Sequence, residues 1–143
     1  MKQYNMNYSV FEKNKFFIRK NSTLPVITYP FNEKLRESYN ITENMFENIA
    51  ITFSMINSET GHYKVANLPA NLTINKDIAQ YPYNDKYMLT FKFKEHHTNK
   101  AGNYEGEFVV DFLGENQCGK LKIPINDRID IIITDSITNT TVI

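Results

Sequence analysis

Between Tyr104 and Phe112 the aromatic residues all fall on one parity. Tyr104, Phe108, Val110 and Phe112 occupy even positions, and Glu105, Glu107 and Asp111 occupy odd ones. A two-residue period puts alternate side chains on opposite faces of an extended chain, so the segment predicts a strand with one buried and one wet face. The same period recurs at Ile49, Ile51, Phe53 and Met55, with Thr52 and Ser54 opposite, and at Tyr87, Leu89, Phe91 and Phe93, with Thr90, Lys92 and Lys94 opposite. Three such segments exclude a helical bundle and predict antiparallel sheets packed face to face. Shorter strands are expected at 16–20, 25–31, 62–67, 71–75, 119–124 and 129–134, giving about eight or nine strands at the close spacing of an all-β sandwich. Lys92 and Lys94 are expected to lie across from Glu105 and Glu107, each pair contributing about 0.2–1 kcal/mol and fixing register.

The connections agree. Asn57-Ser58-Glu59-Thr60-Gly61 and His96-His97-Thr98-Asn99-Lys100-Ala101-Gly102-Asn103 are polar and rich in turn formers. One stretch breaks the pattern: in Asn32–Glu47, Leu35, Tyr39, Met45 and Phe46 stand at irregular helical spacing, and Thr42 is placed to cap a short helix. It reads as a helical insertion crossing between sheets. The expected organisation is an N-terminal arm over 1–15, a sandwich over 16–136 with its insertion at about 32–47, and a C-terminal tail over 137–143.

Charge narrows the function classes. Sixteen basic and sixteen acidic residues balance to a net charge of zero, without the basic run a nucleic-acid binder would show. No stretch approaches 18 apolar residues, so no membrane-spanning helix is expected, and the polar first eleven residues do not read as a secretory signal. The single cysteine, Cys118, allows no internal disulfide and reads as a small residue in a turn. Glu95-His96-His97 is the one cluster suggesting a metal, with His62 as a distant third candidate. Adjacent histidines on an extended chain point apart, so the segment reads as a solvated loop. Neither a glycine-rich phosphate loop nor a nucleophile elbow occurs. No catalytic, metal or cofactor residues are assigned, and a non-enzymatic role is expected.

The most specific local motif is Lys100-Ala101-Gly102-Asn103-Tyr104-Glu105-Gly106. Immunoglobulin-like domains carry Gly-x-Tyr at the head of one strand, where the tyrosine hydroxyl ties back to the preceding corner. Gly102 and Tyr104 fill those places, and Gly106 stands where antibody domains have a cysteine, so the core must hold by packing. The expected fold is an immunoglobulin-like antiparallel β-sandwich with a short helical insertion.

With that motif the chain resembles the immunoglobulin-like N-terminal domain of phage baseplate upper proteins. The resemblance is carried by Ile18-Arg19-Lys20-Asn21-Ser22-Thr23-Leu24-Pro25, by Ala50-Ile51-Thr52-Phe53-Ser54-Met55, by Ala101 to Phe108 and by Ile129 to Ile133, and it spans about Phe16 to Ser136. The chain departs from that pattern in its insertion, and no receptor-binding or coiled-coil extension is expected after Ile143. In size and AT-rich style it is also similar to small virion proteins of crAss-like phages. The resemblance implies a virion protein, made in the host cytoplasm, that joins or decorates larger components as a tail ring, baseplate adaptor or capsid auxiliary. Its partners would be other virion proteins or further copies of itself. A carbohydrate- or receptor-binding module is the alternative expectation.

Candidate interface residues follow from exposure and edge chemistry. Tyr81 and Tyr83, grouped with Tyr87, read either as interface aromatics or as a proline-ordered loop packed on the sandwich. Ile131 and Ile133 belong to a final strand interrupted only by Asp130 and expected to be an edge in need of a partner or an extended terminus. Val142 and Ile143 end a β-prone tail able to add to a neighbour's edge.

Overall fold

The computed structural model describes residues 11–12, 15–74, 86–115 and 117–135, and of residues 11, 12, 117 and 118 the main chain alone. Among the described residues, ten strands and three short helical elements follow one another. These are β1 (Phe11–Glu12), β2 (Lys15–Arg19), β3 (Ile27–Pro30), α1 (Glu33–Ser38), a 3-10 turn (Glu43–Asn48), β4 (Ile49–Asn57) and β5 (Tyr63–Pro69). Next come β6 (Asn71–Ile74), β7 (Tyr87–Phe91), a second 3-10 turn (Glu95–Thr98), β8 (Gly102–Gly114), β9 (Gln117–Ile123) and β10 (Ile129–Thr134). They form a seven-stranded sheet ordered β1-β2-β10-β8-β4-β5, with β9 also paired to β8, and a three-stranded sheet ordered β3-β7-β6. The protein is an all-β sandwich.

β8 organises the larger sheet. Its central Tyr104–Phe112 pair with the whole of β4, from Asn57↔Tyr104 to Ile49↔Phe112. Its other edge is divided: Gly102–Gly106 pair with β10 and Phe108–Gly114 with β9. Pro124, which has no amide N–H to donate, stands where the pairing passes from one to the other. β10 is flanked on its far side by β2, and that pairing is parallel, with Ile131 opposite Phe16 and Ile133 opposite Ile18. The larger sheet is therefore mixed, where alternation alone predicted antiparallel strands throughout. Period two reveals which face a residue takes and nothing about strand direction.

The inward parities are those the pattern predicts. Phe53 of β4, Phe108 and Val110 of β8, Ile123, Ile129 and Ile131 are fully buried from the larger sheet, and Ile27 and Leu89 from the smaller one. The sheets meet through aromatic rings: Phe53 stacks on Phe91 at 4.7 Å and lies 4.9 Å from Phe108 and 6.2 Å from Phe93. β7 ends at Phe91, short of the expected Lys94, yet Phe93 still points inward and is buried.

The expected pairing of Lys92 and Lys94 with Glu105 and Glu107 does not occur. Those lysines follow β7, which belongs to the smaller sheet, whereas β8 lies in the larger one. Ile56 and Asp130 lie opposite Glu105, and Ser54 lies opposite Glu107.

The insertion bridges the two sheets. Asn32 caps α1, its side-chain oxygen accepting from the Leu35 amide at 2.7 Å, and Arg36 Nε donates to the Phe31 carbonyl. Thr42 stands at the start of the 3-10 turn as expected. Its amide donates to Met45 Sδ at 3.4 Å, so a sulfur acts where a capping carboxylate would be usual. Phe46 meets Tyr87 edge-on at 4.9 Å, Arg36 sits 4.9 Å over the Tyr87 ring, and Glu43 accepts from both the Tyr87 hydroxyl and Lys86. The Tyr87 hydroxyl foremost, and then Lys86, hold the Glu43 carboxyl below the usual carboxylate range. Tyr87 is buried, not exposed beside the aromatic loop.

The corner before β8 is closed by Tyr104, which is buried and donates from its hydroxyl to the Lys100 carbonyl at 2.8 Å. Gly102 sits at φ 153, a conformation L side chains rarely adopt. Tyr104→Phe keeps the ring and removes the hydroxyl that donates to that carbonyl. It is expected to cost about 1 kcal/mol or more, read as a lowered denaturation midpoint with unchanged slope. An unchanged midpoint would rule out a stabilising role for the hydroxyl.

Candidate interaction face

The outward parities of β4, β5, β8 and β9 build one broad face of the larger sheet. Ala50, Thr52 and Ser54 of β4 supply small side chains. Glu107, Val109 and Asp111 of β8 stand beside them, with Lys120 opposite Asp111 and Lys122 opposite Val109 on β9. Tyr63 and Asn67 of β5 border the other side, and the small residues leave a shallow depression of about 390 Å³. Tyr63 is two-thirds exposed.

This face is shaped by irregular pairing at its β5 border. The register between β4 and β5 shifts between Phe53 and Met55 and again between Met55 and Ile56. Asn67 lies at the shift with φ 51. Its amide donates to Ser54 Oγ at 2.9 Å and the Ser54 hydroxyl donates to Asn67 Oδ1 at 3.1 Å, replacing the ladder bond that the bulge removes. The tight turn feeding β5 is built by Asn57, whose side-chain oxygen accepts from the Glu59 and Thr60 amides.

Several expected site residues lie elsewhere. Ile131 and Ile133 are buried and face the space between the sheets, so they are not interface residues. β10 is not an edge strand, because β2 of the same chain pairs with Asp130–Thr134 on one side and β8 pairs with Ile129–Ile133 on the other. Cys118 belongs to β9, opposite Leu113, rather than to a turn. Tyr81, Tyr83, Val142 and Ile143 lie outside the described residues. Gly102 and Tyr104 form the structural corner described above. The lysines of β9 and the ring of Tyr63 were missed by sequence reasoning. Pairing the 119–124 segment with β8 as a hairpin would have brought Lys120 to Asp111.

Among the described residues no group of three or more His, Cys, Asp or Glu side chains is gathered to hold a metal. The His96-His97 segment is also not a solvated loop, for His97 and Thr98 are buried within the 3-10 turn. His97 Nδ1 accepts from the Lys94 amide at 2.9 Å, so its proton sits on Nε2. Thr98 donates to the Ser22 carbonyl, and its own carbonyl accepts from the Asn21 amide, which fastens the β2–β3 connection to this corner.

Burial foremost, then the positive surroundings of His96, Lys94 and Lys64, holds the His97 pKa below its ordinary value. The unfolded chain binds this proton near pH 6.5, while the folded chain resists it. The resulting stability is present above about pH 6.5 and is lost as pH falls through the lower folded value. Thermal melts from about pH 7.5 to 5 are therefore expected to decline more in the native chain than in His97→Phe, where no proton binds. Equal slopes in the two proteins would contradict this.

No family model matches the chain, and neither a curated protein nor a solved structure matches it with significance. Among the described residues, no helix is long and apolar enough to cross a membrane.

Proposed function

We propose that the chain is a non-enzymatic structural component of a bacteriophage particle, acting through contacts with other virion proteins as a tail ring, baseplate adaptor or capsid auxiliary. Two lines support the reading. The sequence resembles the immunoglobulin-like domain of phage baseplate upper proteins across 16–136. The observation that carries it in three dimensions is the broad outer face of β4, β5, β8 and β9, where exposed lysines and half-buried carboxylates surround small residues and a shallow floor. Such a surface suits another protein's surface better than a small substrate, which calls for a concave and largely enclosed pocket. The place of action would be the virion.

A carbohydrate-binding role is the second reading, favoured by one feature: the exposed Tyr63 ring stands beside Asn67 and the depression. Gradient sedimentation of a lysate producing the particle, followed by detection of the chain, separates the two. Assembly places the chain in the particle fractions under stringent salt. A chain that remains at the top of the gradient and retains sugars on a glycan array would overturn the assembly reading.

A further inference from the structure

The outer face of the β8–β9 hairpin holds an arrangement that its own chain leaves unsatisfied. Along β8 the outward residues run Glu107, Val109, Asp111, Leu113, and along β9 they run Lys122, Lys120, with Asp111 directly opposite Lys120. Charged and apolar positions thus alternate on the acidic strand, beside a basic row one strand away. Cross-strand neighbours of opposite charge are close enough to pair. Even so, Glu107, Asp111, Lys120 and Lys122 enter no ion pair within the chain among the described residues. Leu113, half exposed, extends the same face toward the hairpin tip.

We propose that this hairpin face docks a second copy of the chain. The argument is charge complementarity under symmetry. A two-fold axis lying in the plane of contact, parallel to the strands and midway between β8 and β9, exchanges the two rows. It lays Lys120 of each copy over Asp111 of the other, and Lys122 over Val109 between Glu107 and Asp111, so every attractive contact is made twice. Val109 and Leu113 flank the axis and lose water as the faces close. A surface carrying equal and opposite rows is complementary to itself, as an isologous interface requires.

The contact is small and its ion pairs stay near solvent, so each pair contributes little. In solution the dimer is weak, with a dissociation constant on the order of 0.1–1 mM. In a particle, where copies are held side by side, the effective concentration exceeds that value and the contact sets their register. The inference rests on the assembly reading for its biological purpose and on the charge rows for its chemistry.

Sedimentation equilibrium of the full chain at up to about 1 mM and low ionic strength tests it, alongside two charge-reversed variants. Lys120→Glu/Lys122→Glu makes the hairpin face all acidic, and Glu107→Lys/Asp111→Lys makes it all basic. The native chain is expected to dimerise, more weakly as salt is added. Each variant alone is expected to stay monomeric. Their equimolar mixture forms a heterodimer at least ten-fold tighter than either self-association. A native chain that stays monomeric, or variants that self-associate as the native chain does, would overturn the proposal. Should a variant fail to fold, the salt dependence of the native dimer decides, for a salt-insensitive dimer contradicts paired charge rows. A chain that sediments with particles but never dimerises sinks this surface and leaves the assembly reading standing. Dimerisation without particle association does the reverse.

Discussion

Phe53→Ala is expected to be the most damaging single truncation in the sandwich, costing about 3–5 kcal/mol. Phe53 is fully buried at the centre of β4 and touches both sheets at once: Phe108 beside it in the larger sheet, Phe91 and Phe93 across the core. Removing the ring deletes its transfer free energy and opens a cavity that neighbours from two stiff sheets cannot close. For a domain of this size the loss corresponds to a melting-temperature drop of roughly 10–15 °C. A drop of only a few degrees would mean that the rings around Phe53 repack and that the sheets are not held apart as described.

Gly106→Val is expected to cost about 3 kcal/mol, at the upper end of overpacking substitutions. A Cβ at Gly106 would stand 2.8 Å from Phe53 Cζ and 2.9 Å from both Phe53 Cε1 and Ile131 Cδ1. Ile131 can change rotamer, but the phenyl ring is rigid and wedged between Phe91 and Phe108. Glycine is needed here for the room it leaves, since the ring of Phe53 fills the space beside its Cα. The two substitutions are coupled. In a double-mutant cycle with Phe53→Leu and Gly106→Ala, the pair should be less destabilised than the sum of the singles by about 1 kcal/mol or more. Additive costs would place the clash elsewhere.

The strands were legible because alternation survives in a sheet with one wet face. β4, β8 and β10 begin and end within a few residues of the segments that Ile49–Met55, Tyr104–Phe112 and Ile129–Thr134 mark out. The insertion was legible for the opposite reason, since Leu35, Met45 and Phe46 break that period. Sheet membership was not. Lys92 and Lys94 share chemistry with the partners that Glu105 and Glu107 seemed to need, but the choice between sheets depends on chain crossings that no local pattern records. The position of β10 was hidden likewise. Its apolar run resembles a bare edge, and only the parallel return of β2, separated from it by more than a hundred residues, reveals an interior strand. His97 looked solvent-exposed because its neighbours are polar, whereas the 3-10 turn buries it against Phe91 and Phe93.

The candidate interaction face was half legible. The acidic row of β8 announces a wet surface, but its basic counterpart emerges only once Phe108–Gly114 and Gln117–Ile123 are set in register. Small residues such as Ala50, Thr52 and Ser54 give no sequence signal of a depression. They matter because of the taller side chains of Tyr63, Glu107 and Lys122 around them.

The most direct test of a role as a virion component is cryo-electron microscopy of the purified particle, with the sandwich fitted to the density without bias as to location. The sandwich is expected at symmetry-related positions of the tail, baseplate, collar or capsid surface, with the outer face of β4, β5, β8 and β9 covered by a neighbouring subunit. Density for the whole particle with no place for the sandwich, or a sandwich held only by flexible tethers with that face open to solvent, would contradict it.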